Sequence, residues 1–559
     1  MRGGFVACFG GGAPSGSELE RVADLFRLHT GKPSTADGHG LQIAGLVDDG
    51  DGPWVDRDDD ATLVTYGASP APLQALERGD ERFAALHSDG RTLRASRDAF
   101  GLAPLFYRRH RGATWLATEI APLVALGETE PDTFALAAKI AHFPSHDRTG
   151  WTGIHRALPG SRVEIAPDGS VRSAPYWDPG AGLGTYPGAW EEGVAEFREL
   201  FKAAVSRCQS DATGVMVSGG LDSGAVTVSL RRDDPPPHLV HVRFPTLPVT
   251  NEVEFAQAVA GAAGAPLHTP DGPLAPWDPV DELAVTGGVL YDWLPFGIEE
   301  TALASMADAG VDVALDGHDG DGVVGHPGGE WGALFVRGQF RQIGALARRH
   351  GALRAAKGVA RDLVPPNVTR RGLRRVTTSP SQRAERYFQG PLLESLRAAD
   401  HYRWGRPYAR WRSRQLQPML PQATINMEQK ELIAARVGID MRHPYASRRL
   451  AELAMSLRLA PRIEPIRQKA LLRDALGEVL PAVLRDRETK SSYMEVLPRR
   501  VDPHRCIELI KTTDVRLPHI DYDKLVADVD AGSEPPLFFL IYLTRAHAFV
   551  GDRGAAWSK

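Results

Sequence analysis

The sequence predicts an α/β protein: a sheet-rich N-terminal domain followed by a larger domain built on a doubly wound parallel sheet. Three observations carry that prediction. Short apolar segments punctuated by Gly, Asp and Pro fill residues 1–175. Strand-like runs then alternate with helical patterns up to about residue 330, the signature of parallel strands joined by helices. Two of those runs end directly in Gly-rich, Asp-bearing loops.

In chain order, GGFVACFG, LQIAGLVD, ATLVTYG, RTLRASRDAFGLAPLFYRR, ATWLATEI and SRVEIAPDGSVRSAPYW supply the strands of the first domain, placed at residues 1–180. The Pro/Gly-rich stretch WDPGAGLGTYPGAWEEG links it to a second domain, placed at 190–559. Helical patterning begins near Glu191–Cys208, and VMVS, HLVHVRF and VDVALDG read as the parallel strands. The bulk properties suit a large soluble enzyme: 559 residues, 43% of them hydrophobic and 24% charged. A formal net charge of −5 argues against general nucleic-acid binding. Three scattered cysteines (Cys8, Cys208, Cys506) exclude a disulfide framework and a CxxC metal site, and suit a reducing cytoplasm. The glycine-rich start does not read as a signal peptide. An apolar run of about 18 residues is also lacking, so no membrane partner is expected.

Chemistry concentrates at the two loops. In VMVSGGLDSGAV the strand ends near Met216, the glycines let a ligand approach the backbone, and Ser223 onward can open a helix. Such a turn presents unpaired N–H groups to an anion. It is not a P-loop, since no Lys follows the glycines, and Asp222 beside phosphates calls for a bridging Mg²⁺. SGGLDSG resembles the pyrophosphate loop of ATP pyrophosphatases. That resemblance assigns nucleotide contacts to Met216, Ser218, Gly219, Gly220, Leu221, Asp222 and Ser223. The second loop, ALDGHDGDG, crowds Asp316, Asp319 and Asp321 into six residues around Gly317 and His318. These carboxylates repel one another unless a cation or hydrogen bonds compensate. Its spacing does not fit an EF-hand. Both loops are expected at one sheet edge, with Asp222 and Asp321 facing across Mg²⁺–ATP.

Over essentially its full length the chain resembles the asparagine synthetase superfamily. RDAFGLAPLFYRR, WLATEIAPLVALG and IHRALPGSRVEIAPDGSVRSAPYW are similar to its glutaminase domain. SGGLDSG, NEVEFAQAVA, the DGHDGD loop, GIDMRHPYASRRLAELAMSL, RQKALLRDALGEVLP and LRDRETKSSY are similar to its synthetase domain. Glutamine-hydrolysing members need a cysteine directly after the initiator Met. Here Arg2 stands there, and Cys8 lies inside a strand-like segment, so the glutaminase-like domain is expected to be inert. That favours branches whose substrate carries its own amine: β-lactam synthetases and the macrolactam-forming cyclases of lasso peptides. The HDGDGVVGHPGG loop looks closer to the lasso cyclases. So does a surplus of chain, a basic helical insertion at about 335–420, with thirteen Lys or Arg against two acids in residues 337–386. That run reads either as a solvated helical face or as a docking face for a large substrate or partner.

The lasso cyclase resemblance implies ATP and Mg²⁺ as cofactors, with a leaderless core peptide as substrate. A leader peptidase and a leader-recognition protein would be its partners. It also implies metal binding by Asp222 and Asp321, nucleotide contacts at Asp316 and Gly317, and charge neutralisation by Lys490 of RETKSSY. Lys469, on a helical pattern, reads as a surface or ion-pair residue. His318 either deprotonates the attacking amine or hydrogen-bonds pyrophosphate. An acid partner for it is sought among Glu428, Glu431 and Asp440, the two glutamates lying three apart on one helix face. Tyr291, Trp293 and Phe296 either line an acceptor pocket or belong to the core. Arg243 and Phe244 fall near the nucleotide, and His326 near the substrate mouth.

Overall fold

A computed structural model describes residues 4–11, 14–26, 32–47, 53–68, 71–141, 147–231, 235–279, 296–325, 330–363, 385–390, 402–403, 406–407, 416, 421–458, 469–487, 493–513, 516–533 and 535–551. Two six-stranded sheets occupy the first 175 residues. In one, Gly4–Phe9 pairs antiparallel with Leu41–Val47 and Ala113–Ala117; in the other, Ala84–Ser88 pairs antiparallel with Thr62–Tyr66 and Leu93–Arg97. The period-two alternation of GFVACF sends Phe5, Ala7 and Phe9 into a core shared with Val64, Leu86, Leu93 and Val163 of the second sheet. Val6 and Cys8 face the other way, into a helix-covered core.

The second half is built on five parallel strands in the spatial order Leu267–His268, His238–Val240, Thr213–Met216, Val313–Leu315, Asp440–Arg442. The Trp190–Cys208 helix buries Val194, Phe197, Phe201 and Val205 at helical spacing against this layer. Thr213–Met216 and Val313–Leu315 are direct neighbours in register. Their carboxyl ends therefore deliver the SGGLDSG and DGHDGD loops side by side. The fifth strand, Asp440–Arg442, extends the sheet beyond the three strands read from the sequence.

Buried arginines pin the two halves together. Arg97, fully buried, donates to the carbonyls of Ala103 (2.8 Å) and Ala157 (2.9 Å) and pairs with Glu428 at 2.6 Å. Arg156 reaches the same carboxylate at 3.2 Å. Arg82 pairs with Glu431 (2.7 Å) and Asp440 (3.3 Å). The C-terminal helix Leu537–Gly551 returns to the first half, where Phe549 packs on Trp151 with ring centroids 4.6 Å apart. Of the basic insertion, the structure describes three helices, Glu330–Val336, Phe340–His350 and Ala352–Leu363, packed on one another.

Candidate active site

The SGGLDSG turn is held by its own hydroxyls. Ser223 Oγ accepts the Ser218 N–H at 3.0 Å and lies 2.9 Å from Ser218 Oγ, and Ser218 Oγ accepts the Gly220 N–H at 3.2 Å. Gly219 has φ +77°, and a Cβ there would run into Glu252, so the turn requires glycine. Arg487 braces the same turn, donating to the Gly219 carbonyl at 3.0 Å while paired with Glu252. Ser218, Asp222 and Ser223 border a cavity of about 420 Å³, together with Met216. Leu221 instead packs into the core, so its contribution at this turn is its backbone.

The neighbouring loop closes against this turn with no room to spare. A Cβ on Gly317 would collide with the Ser223 backbone nitrogen, and one on Gly320 with the Asp222 carboxyl. Asp316 is buried and anchors the loop. It accepts from Lys430 Nζ at 2.7 Å, from His443 Nδ1 at 2.8 Å and from the His318 N–H at 3.0 Å. Burial alone would raise its carboxyl, but Lys430 and His443 hold it well below the usual carboxylate range. Asp319 takes a left-handed φ of +66°, and burial pushes its carboxyl up to about 7.

Lys469 joins the two loops. Its Nζ binds Asp222 Oδ2 and lies 2.7 Å from Asp321 Oδ1. Burial disfavours its charge, yet Asp222 and Asp321 outweigh that and hold the ammonium above its ordinary value. A residue read as surface or ion pair is thus the cation between the two expected metal ligands. One positive centre already shared by Asp222 and Asp321 shows that their spacing accommodates a single cation. The donors there are carboxylates, hydroxyls and backbone, an all-oxygen set suited to Mg²⁺. Among the described residues, no group of three or more His, Cys, Asp or Glu converges as a ready-made metal site. Two protein carboxylates, completed by phosphate oxygens and water, is how Mg²⁺ is commonly held.

His318, Lys430, Glu299, Phe296 and Tyr493 line the rest of the cavity. Burial, reinforced by Lys430, pushes the His318 imidazole down to about 3, so it is neutral near pH 7. The proposed acid partners need correction. Glu428, Glu431 and Asp440 do not line this cavity; each is claimed by arginines at the junction of the two halves. The Pro421–Arg436 helix does face the cavity, but with Lys430. Glu431, next to Lys430 in the chain, is held by Arg82 and reaches only the far side of His443, with its Oε1 3.9 Å from Nε2. His443, from the motif GIDMRHP, has its ring centroid 5.9 Å from that of His318. Arg243 pairs with Asp271 at 2.6 Å, and Phe244 packs against Tyr493. Lys490, Tyr291, Trp293 and His326 lie outside the described residues. Cys8 is buried, and its thiol is pushed up to about 12 by that burial.

The central strands of the parallel sheet thus end in two touching, glycine-dependent loops whose carboxylates converge on one cation, at the strand carboxyl ends where open α/β sheets bind their ligands. A family profile for asparagine synthase matches residues 196–516, more than half of the chain and the part that carries the site. The chain belongs to the asparagine synthase family, a family of ATP-dependent ligases. Asparagine synthetase [glutamine-hydrolyzing] 1 of Bacillus subtilis is 26% identical over 276 residues, covering 48% of this chain and 43% of that protein. Amidase chyE of Penicillium rubens is 30% identical over 158 residues, 27% of this chain and 23% of the amidase. The chain thus spans about a quarter of that amidase's length and under half of the synthetase's. Among solved structures, a glutamine phosphoribosylpyrophosphate amidotransferase of B. subtilis complexed with ADP and GMP aligns at a TM-score of 0.22. It is 11% identical over 49% of this chain and 83% of that one.

Proposed function

We propose that this protein is an ATP-dependent lasso peptide cyclase. A side-chain carboxylate of an Asp or Glu in a leaderless core peptide attacks the α-phosphorus of ATP and expels pyrophosphate. The N-terminal amine of the same peptide then attacks the acyl carbon, loses a proton and expels AMP, leaving an isopeptide bond. The observation that carries an ATP-cleaving reading is the convergence of Asp222 and Asp321 on Lys469 beside the Ser218–Ser223 turn.

The turn's N–H groups and hydroxyls would bind the β,γ-pyrophosphate. Asp222 and Asp321 would hold Mg²⁺, which neutralises phosphate charge and assists departure of pyrophosphate. Lys469, displaced from the two carboxylates, would turn its charge to the leaving group alongside Lys490. His318 borders the cavity as a neutral imidazole that would hydrogen-bond pyrophosphate, and a proton affinity this low disfavours it as base for an ammonium. Holding amine and activated carboxyl in one peptide supplies the proximity that makes attack efficient. An amine carried by the substrate agrees with residues 1–180, whose single cysteine, Cys8, is buried with a raised thiol and is no ready nucleophile.

The test is ATP–pyrophosphate exchange with three additions: a leaderless core peptide, free aspartate, and a carboxyethyl amino acid. Peptide-dependent exchange supports the cyclase. Exchange with only the small acids moves the assignment to a β-lactam synthetase-like or other small-molecule amide ligase. Lack of exchange with all three removes the adenylation reading.

A further inference from the structure

The helices of the basic insertion carry a strong excess of positive charge. Residues 330–363 contain seven Lys or Arg (Arg337, Arg341, Arg348, Arg349, Arg354, Lys357, Arg361) and two acids (Glu330, Asp362), a formal +5 in a chain of net −5. Asp362 is buried, accepts the Gly332 N–H and pairs with Arg361 at 3.3 Å, leaving the other cations to themselves. Arg341 and Arg348 stand on one exposed stripe of the Phe340–His350 helix, seven residues apart. Arg354, Lys357 and Arg361 stand on one exposed stripe of the Ala352–Leu363 helix, at spacings of three and four. Among the described residues, Arg341, Arg348, Arg354 and Lys357 make no ion pair.

Large apolar side chains stand among them. Leu353 is 69% exposed, Phe340 61% and Val336 57%, and Phe340 meets exposed Phe335 edge to face at 5.6 Å between centroids. A solvated helical face has no use for these, and a polyanion such as RNA offers them no partner on its backbone. Exposed apolar groups flanked by cations fit instead an extended segment that is both acidic and apolar.

A chain of contacts ties the end of the Glu330–Val336 helix to the loop that borders the cavity. Arg337, at the end of the first insertion helix, donates to the Gly184 carbonyl, and Gly184 lies against the Arg458 carbonyl. Arg458 in turn donates to the carbonyls of Gly322 (2.7 Å) and Val323 (2.9 Å), directly after Asp321. We propose that the Phe340–His350 and Ala352–Leu363 helices are a docking face for an acidic, apolar stretch of the peptide substrate outside its reacting residues. This rests on the peptide-cyclase reading, and it makes Arg341, Arg348, Arg354 and Lys357 determinants of substrate affinity rather than of chemistry.

The test compares the wild type with the quadruple variant Arg341→Gln, Arg348→Gln, Arg354→Gln, Lys357→Gln, and with Phe340→Ser/Leu353→Ser, all surface changes. First, a fluorescein-labelled 15-residue probe of alternating Glu-rich and Phe/Leu segments is titrated by anisotropy against each protein. A neutral Gln analogue and a 15-nucleotide single-stranded RNA serve as controls. The expected result is binding of the acidic probe by the wild type, weakened about tenfold or more in both variants and by raising salt from 50 to 300 mM. Second, in turnover, KM for the full core peptide rises at least tenfold in the quadruple variant while kcat and KM for ATP stay put. Acidic and neutral probes binding alike, or RNA binding more tightly than the acidic probe, overturns the docking proposal. So does a peptide KM that the quadruple variant leaves unchanged. Failure of the cyclase reading shows up separately, as absence of peptide-dependent exchange in the wild type, and the anisotropy comparison still decides whether the face takes an acidic segment.

Discussion

Replacing Lys469 with Met removes the cation that Asp222 and Asp321 share while preserving most of its volume. Asp222 keeps 13% of its side chain exposed and Asp321 72%, so the two lose unequal amounts. The nearly buried Asp222 is left without its compensating charge, a loss of about 3–5 kcal/mol where burial is complete and somewhat less here. The exposed Asp321 contributes at most about 1 kcal/mol more. A net destabilisation of roughly 2–4 kcal/mol is therefore expected. The same substitution vacates the point where both carboxylates converge. In Lys469→Met a divalent cation no longer competes with an ammonium, and Mg²⁺ without nucleotide should bind at least tenfold more tightly than in wild type. The assay is thermal unfolding followed by intrinsic fluorescence across a Mg²⁺ series, with Ca²⁺ alongside and Asp222→Asn as control. The variant should start lower than the wild type and recover as Mg²⁺ is raised; the wild type should hardly respond. Catalytically, loss of a charge aimed at departing pyrophosphate is expected to lower the exchange rate by about 10²–10³. Unchanged stability together with unchanged Mg²⁺ response would falsify the shared-cation geometry, whatever happens to activity.

His318→Gln and Glu431→Gln should give opposite pH signatures. His318 has a folded value of about 3 against about 6.5 when unfolded, so its contribution is present above pH 6.5 and lost as pH falls. The Gln variant should flatten that loss by roughly 1–3 kcal/mol between pH 6.5 and 4 in urea titrations. Glu431 is pushed up to about 7 from 4.5, chiefly by burial, so its contribution is lost as pH rises from 4.5 through 7; Glu431→Gln should remove that decline in the same experiment. Arg97→Met takes from the buried Glu428 the nearer of its two arginines and leaves Arg156 at 3.2 Å, so it should cost somewhat less than the about 3–5 kcal/mol of a fully stranded buried charge, read as a fall in the first unfolding transition. Gly317→Ala forces a methyl against the Ser223 backbone. It should raise KM for ATP or abolish exchange, whereas Gly261→Ala, at an exposed helical position with open space around it and an ordinary φ, should leave exchange intact.

The path from sequence to site was clearest where chemistry and backbone demand coincide. SGGLDSG and DGHDGD each follow an apolar run, and their glycines are needed because the two loops touch at Gly317 and Gly320. The strand segments GFVACF, LQIAGLV and ATWLA alternate or run apolar, and all three form strands. Strands without that pattern were not visible: KPSTADG pairs along its whole length with Leu41–Val47, and WVDR is an exposed edge strand whose pairing depends on its neighbour. Lys469 could not be separated from an ordinary helical lysine, because its role comes from Asp222 and Asp321, carboxylates far earlier in the chain. Glu428 and Glu431 looked like catalytic acids for lack of any view of Arg82, Arg97 and Arg156, more than 250 residues earlier in the chain. Lys430 lay in the same quoted helix, and a lysine between two acids signals an ion pair rather than a cavity wall.

Mass spectrometry of the peptide product, with AMP followed in the same tube, bears most directly on the proposed activity. The reaction contains the protein, ATP, Mg²⁺ and the leaderless core of a short acidic precursor peptide. The expected products are a peptide lighter by one water and equimolar AMP, both abolished by Asp222→Ala, with glutamine and ammonium neither required nor stimulatory. A peptide that stays linear while AMP appears with free aspartate and ammonia would contradict the proposed activity.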